Sequence, residues 1–167
     1  GALSYTINVN GNILSSSSIA YDTTLYIGSS DNNLYAFSKL GTSLWPPIPL
    51  GGILTATPTI DSVFSRIYIG VSNGNFIAVN RNNGTIAWSY FADAPISHSA
   101  VITSDNKLVF TTTKGTIYGF QLQNPPVTTP SWIINNNDSI STSPAIDNEG
   151  YFYVGTSNGM IKKISMM

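Results

Sequence analysis

The chain has 167 residues, and 9% of them are charged, against roughly 25% in an average soluble protein. Seven Lys and Arg against eight Asp and Glu leave a net charge of −1, which provides no basic stripe to neutralise phosphates and argues against a nucleic-acid partner. Cysteine is absent, which removes disulfides, thiolate metal sites and cysteine nucleophiles, and no apolar run reaches the ~20 residues of a membrane-spanning helix.

In chain order, a Ser/Thr-rich first strand from Ser16 to Asp22 leads to the triplet Leu25-Tyr26-Ile27 and Gly28. The turn Asp31-Asn32-Asn33 leads to a third strand, Leu34 to Phe37, and then to Gly41-Thr42-Ser43-Leu44-Trp45. The order returns as Thr57 to Asp61, Ile67-Tyr68-Ile69-Gly70, the turn Asn73-Gly74, Phe76 to Val79, and Gly84-Thr85-Ile86-Ala87-Trp88. It returns again as Ser99 to Asp105, Leu108-Val109-Phe110-Thr111, Lys114-Gly115, Ile117 to Phe120 and Trp132, and finally as Ser143 to Asp147, Phe152-Tyr153-Val154-Gly155, Asn158-Gly159 and Met160 to Ile164. Asn-Gly supplies the positive φ of a two-residue hairpin. The second and third strands are almost continuously apolar, so both faces are expected to be buried.

Gly28, Gly70, Thr111 and Gly155 are spaced by 42, 41 and 44 residues, and the three tryptophans by 43 and 44. About four short strands per period of this length predict a β-propeller. The expected fold is all-β, one domain over 1–167, with four-stranded antiparallel blades in repeats at about 9–50, 51–94, 95–138 and 139–167. Leu3-Ser4-Tyr5 aligns with Trp88-Ser89-Tyr90, so residues 1–8 are expected to be an outermost strand that completes a blade. Three arrangements follow. The chain is part or half of a larger seven- or eight-bladed ring, or two chains complete one ring, or, ranked last, four blades close on themselves.

Ala78 to Tyr90, with Asn83-Gly84-Thr85-Ile86-Ala87-Trp88 at its centre, resembles the tryptophan-docking repeat of pyrroloquinoline-quinone (PQQ)-like propellers. Ala36 to Trp45 is a second copy, and Ile117 to Trp132, with Gln123 to Pro130 inserted, is a degenerate third. The resemblance implies that Trp45, Trp88 and Trp132 dock between blades, with Gly28, Gly70 and Gly155 at the strand positions they depend on. The family holds PQQ-dependent dehydrogenases and non-catalytic members, among them an outer-membrane barrel-assembly lipoprotein and secreted or cell-surface repeat proteins. Its dehydrogenases need a Glu/Asn calcium site, a catalytic Asp and often adjacent cysteines, whereas this chain has a single glutamate, Glu149, in a turn. The expectation is therefore a non-enzymatic module with no catalytic, cofactor or metal residues.

The recurrent Asp22, Asp61, Asp105 and Asp147 read as turn residues, since Asp147-Asn148-Glu149-Gly150 lacks the alternating aspartates of a calcium loop. His98, the one histidine, begins an innermost strand and is the first choice for a ligand contact in a central channel. The expected role is a protein-interaction scaffold, with a protein partner or self-association by blade completion, and with Trp45-Pro46-Pro47 and Phe91 as contact loops. The alternatives are a fragment of a PQQ-dependent dehydrogenase whose active residues lie outside the chain, and a carbohydrate-binding propeller that takes a glycan on a polar rim. The resemblance favours a periplasmic, secreted or cell-surface location.

Overall fold

The computed structural model describes residue 1 and residues 4–165. It contains fifteen β-strands and no helix among the described residues. The first blade is β1 (Ser18–Ile19), β2 (Leu25–Gly28), β3 (Asn33–Phe37) and β4 (Ile48–Pro49). The second is β5 (Thr59–Asp61), β6 (Arg66–Gly70), β7 (Asn75–Asn80) and β8 (Ile86–Phe91). The third is β9 (Val101–Ile102), β10 (Lys107–Thr111), β11 (Thr116–Gln121) and β12 (Trp132–Asn135). The last has three strands, β13 (Ala145–Ile146), β14 (Tyr151–Gly155) and β15 (Ile161–Ser165). Every sheet is an antiparallel meander in chain order, as the expected β-propeller blades require.

The blades are flat layers, and apolar side chains fill the spaces between them. Tyr26, Leu34, Trp45 and Leu54 meet Ile67, Ile69, Ile77 and Val79 between the first and second blades. Tyr68, Phe76 and Trp88 meet Leu108, Phe110 and Phe120 between the second and third. Val109 and Ile117 meet Phe152 and Val154 between the third and fourth. Successive residues of β6 thus point into different clusters, which is why its sequence is apolar without alternation. Among the described residues no such cluster spans the fourth and first blades, and these residues form an open arc.

Two close approaches set the spacing. The segments before the second and third blades each seat an aliphatic side chain on the second strand of the blade before. A methyl on Gly28 would lie 2.7 Å from Cβ of Leu54, and one on Gly70 would lie 2.1 Å from Cγ2 of Ile96. Separately, each tryptophan region faces a small third-strand residue: Trp88 pairs with Ala78 and Trp132 with Gly119, where a methyl would lie 2.1 Å from the indole.

The tryptophans are not equivalent. Trp45 is buried over Gly84, which has φ +73°, and its Nε1–H donates to the Arg81 carbonyl of the next blade at 3.3 Å. Trp88 is buried among Tyr68, Phe76 and Phe120, and its Nε1 has no partner. Trp132 is half-buried and stacks on Phe152 with ring centroids 5.9 Å apart.

The first residues lie against the outer face of the first blade. Ile7 and Val9 pack on Ile27, Tyr35 and Phe37. Tyr5 sits 3.3 Å from where a methyl on Gly41 would be, the relation that Trp45 has to Gly84. The register is therefore two residues along from the sequence alignment: Tyr5, not Leu3, stands in the tryptophan position. Leu3 itself lies outside the described residues.

Truncating a fully packed aromatic leaves a cavity that flat, stacked layers close poorly. Trp88→Ala is expected to lower unfolding stability by roughly 3–5 kcal/mol in urea melts. Trp132→Ala, from a half-buried site, should cost clearly less. Equal losses would contradict the difference in packing.

Candidate functional site

Antiparallel order sorts the turns onto two ends of the arc. One end carries the β1–β2 and β3–β4 turns and their repeats; the other carries the β2–β3 turns and the interblade segments.

At the first end, every recurrent aspartate is engaged by its own turn. The Asp22 carboxylate accepts from the Thr24 amide and takes a 2.8 Å ion pair from Arg81, whose Nε also donates to the Tyr26 hydroxyl. Asp61 accepts from the Val63 and Phe64 amides and from the Tyr68 hydroxyl. Asp105 is bonded by Thr103 and paired with Lys107 at 3.0 Å. Asp147 accepts from the Glu149 and Tyr151 amides, both at 2.9 Å, and from the Tyr153 hydroxyl. These bonds, led by the Tyr151 amide, hold the Asp147 carboxyl below its usual range. Burial pushes the Tyr68 phenol well up.

An open groove of about 650 Å³ runs between the Thr103–Lys107 and Asp147–Tyr151 turns. Its aspartates are used as just described, and no group of three or more metal-ligating side chains occurs among the described residues. Glu149 is exposed on the Asp147 turn. These residues do not fit a quinone–calcium centre, which needs converging carboxylate and amide oxygens at the ring axis.

The same end of the first two blades is apolar. Tyr21 is fully exposed, Leu40 is 76% exposed, and Leu44 and Val63 stand open to solvent with Pro46 and Pro47 beside them in sequence. The sequence places contacts near Trp45-Pro46-Pro47 and assigns Trp45 itself to docking between blades. Trp45 is buried, and Leu40 and Leu44 are the exposed apolar side chains there. Phe91, the other chosen position, is 71% exposed but lies toward the opposite end, at the close of β8. A polar-to-apolar contrast along one surface could have been found by sorting turn residues by hairpin parity.

At the second end, Asp93 is bonded by Thr112, Thr116 and Tyr118. Burial pushes its carboxyl up, but bonds from Thr116, Thr112 and Tyr118 and the charge of Lys114 outweigh it and hold it below the usual range. Burial and Asp93 together push the Tyr118 phenol up to about 12, against an opposing bond from the Asp93 backbone. A belt of hydroxyls links the innermost segments: the Thr57 amide donates to the Ser99 hydroxyl, and the Ser99 amide to the Ser143 hydroxyl, both at 3.1 Å. His98 adjoins this belt, half-buried, with Nδ1 unpartnered. No acid or nucleophile bonds to it among the described residues. On the outer face of the fourth blade, Lys163 takes the position held by Ala36, Ala78 and Gly119, with Nζ 3.8 Å above the Tyr151 ring.

The fold and the site define a β-propeller built of four-stranded blades without a converging catalytic centre among the described residues. The chain is similar in structure to BamB from Moraxella catarrhalis, with a TM-score of 0.77 and 19% identity over 96% of this chain. It spans about half of that protein, 47% of its length. The computationally designed Ika4 protein matches with the same TM-score at 12% identity, over 96% of this chain and 94% of the designed one. These likenesses show the fold alone. No protein-family model matches the sequence, and no curated protein matches it.

Burial holds the His98 imidazole below its ordinary pKa, although a backbone bond with Ser141 opposes the shift. A folded pKa below the unfolded one means that its contribution is fully present above about pH 6.5 and is lost as pH falls. His98 should titrate below that value by NMR, and His98→Gln should flatten the slope of stability between about pH 5 and 7. An unchanged slope would remove the assignment.

Proposed function

We propose that the chain is a non-catalytic PQQ-like propeller that serves as a protein-interaction scaffold and recognises partners through the apolar turn end of its first two blades. One observation carries the reading: Tyr21, Leu40, Leu44 and Val63 are open to water on that end, in a chain whose other turns are dominated by Asn, Ser, Thr and Asp. Exposed apolar side chains gathered on one surface and rimmed by polar groups mark an interaction site more often than isolated ones do. The Asp22–Arg81 pair joins the first two blades beneath this surface and keeps their turns in fixed relation, so a partner meets an ordered face with little loop entropy to lose. The low charge of the chain leaves apolar contact and hydroxyl or amide hydrogen bonds as the means of recognition, rather than electrostatic steering.

The test uses a displayed library of random peptides selected on the purified chain, followed by affinity measurement. Leu40→Asp with Leu44→Asp should weaken the selected peptides by at least about tenfold, ~1.4 kcal/mol, while the melting temperature holds. Selected peptides that bind the double variant unchanged would overturn the assigned face. Quinone-dependent oxidation of an alcohol on addition of PQQ and calcium would overturn the non-catalytic reading.

A further inference from the structure

The second blade carries an edge that the proposed recognition face does not use. β8 is the outermost strand of that blade, whose two faces are covered by the first and third blades of this chain. Alternate side chains hold the strand in place. Trp88 lies among Tyr68, Phe76 and Phe120, and Tyr90 meets Tyr118 and Phe120 edge-on, each at 5.4 Å. The intervening Ser89 and Phe91 are exposed, Phe91 to 71%.

The backbone alternates in the same way. The Ala92 amide donates to the Gly74 carbonyl at 2.8 Å, and Phe91 stands opposite Asn75. Hydrogen-bonded and non-hydrogen-bonded pairs alternate along an antiparallel ladder. Ala92, Tyr90 and Trp88 therefore turn their amides and carbonyls toward β7, and Ser89 and Phe91 turn theirs away from it. Among the described residues nothing bonds to these two amides and two carbonyls. The row is bounded at both ends. Ala87 is bulged between Trp88 and Ile86, which pair with Ala78 and Val79, and beyond Ala92 the Asp93 carboxylate is held by Thr112 and Thr116 of the third blade. Open edges are normally blunted by short strands, proline or charge. β4 has two residues, one of them Pro49, and follows Pro46 and Pro47, while β12 has four and begins two residues after Pro130. β8 has six residues, Ile86-Ala87-Trp88-Ser89-Tyr90-Phe91, with neither proline nor charge.

We propose that β8 is a strand-addition site, at which an extended, uncharged segment of a partner protein pairs antiparallel with residues 89–91 as a fifth strand of the second blade. Donors and acceptors that alternate along a strand edge are met together only by another extended backbone, whose main-chain bonds give affinity and whose alternate side chains give specificity. The partner side chain opposite Phe91 shares its face of the sheet, so an aromatic or β-branched residue there covers the exposed ring. With no charge on β8, an ionic partner segment would give up hydration with nothing to replace it. The size of the edge selects a segment over a second folded copy. Its regular part runs only from Trp88 to Phe91, whereas a stable interface between folded proteins takes roughly 800 Å² from each. The site lies on the outer rim, apart from the turns that carry Tyr21 and Leu40, and does not rest on recognition by that face.

The probe is a displayed library of random peptides selected on the chain carrying Leu40→Asp and Leu44→Asp, which disables the apolar turn face. Binders are then synthesised with one N-methylated residue at a time. Methylation at alternate residues should weaken binding at least about tenfold and methylation between them should not, because only alternate amides face β8. Ser89→Pro removes an outward amide without breaking a bond to β7, so the circular dichroism spectrum should hold while the same peptides weaken at least about tenfold. Amide exchange followed by NMR should slow at Ser89 and Phe91 when a peptide binds. Should Ser89→Pro fail to fold, the N-methyl series decides, since it leaves β8 intact. A selection without binders, binders that tolerate N-methylation at every position, or binders unaffected by a folded Ser89→Pro would each overturn the proposal. So would a dimer of the unaltered chain that Ser89→Pro returns to 17.9 kDa, which would make a second copy the occupant.

Discussion

The seating of one aliphatic side chain on one strand glycine controls the rest of this architecture. Leu54 on Gly28 and Ile96 on Gly70 bring each interblade segment within van der Waals contact of the previous blade's second strand. At these two junctions a β-carbon on the glycine would collide, and the sheets would have to part. Everything between the sheets is then sized to the gap. Small third-strand residues admit indole rings, and large ones fill the rest, as Phe76 does when it stacks on Phe110 at 4.0 Å. Densely packed layers of this kind have little room to adjust, so an error at one contact is carried to its neighbours.

Much of this was readable from the chain. The period, the hairpin turns and the unbroken apolar strands led directly to stacked four-stranded blades, because each reports a local physical demand: positive φ at Asn-Gly, and apolar surface on both sides of a sheet. The tryptophans were less readable. Their recurrence suggested equivalent roles, yet Trp45 bonds to the next blade, Trp88 lies in an aromatic cluster and Trp132 stays half open. Depth depends on how many large side chains surround each ring, and periodicity does not carry that information.

The start of the chain shows a different limit. The dipeptide Ser4-Tyr5 matched Ser89-Tyr90, and the match displaced the register by two residues. Counting from Asn12 restores it, because its carbonyl accepts from the Ser30 amide as Ile53 and Pro95 accept from Ser72 and Thr113. The tyrosine–aspartate bonds, such as Tyr68 to Asp61 and Tyr153 to Asp147, were also hidden. They join a first-strand turn to the middle of the second strand, and neither residue alone announces the other. The aspartates were read as turn residues, and each sits in its turn with its oxygens occupied.

Lys163 has a consequence for how such arcs behave when crowded. Exposed strand edges can pair with further copies without limit, and a slight change of angle turns a closing ring into a fibre. A lysine on an exposed strand makes flat, unselective stacking costly, because its ammonium must stay near water, a counter-charge or a π face. Here it hovers above Tyr151. Contacts that leave the ammonium hydrated or held by an aromatic ring are tolerated, and those that smother it are not. Lys163, also paired with Asp147 at 3.8 Å, makes unselective stacking on that face costly.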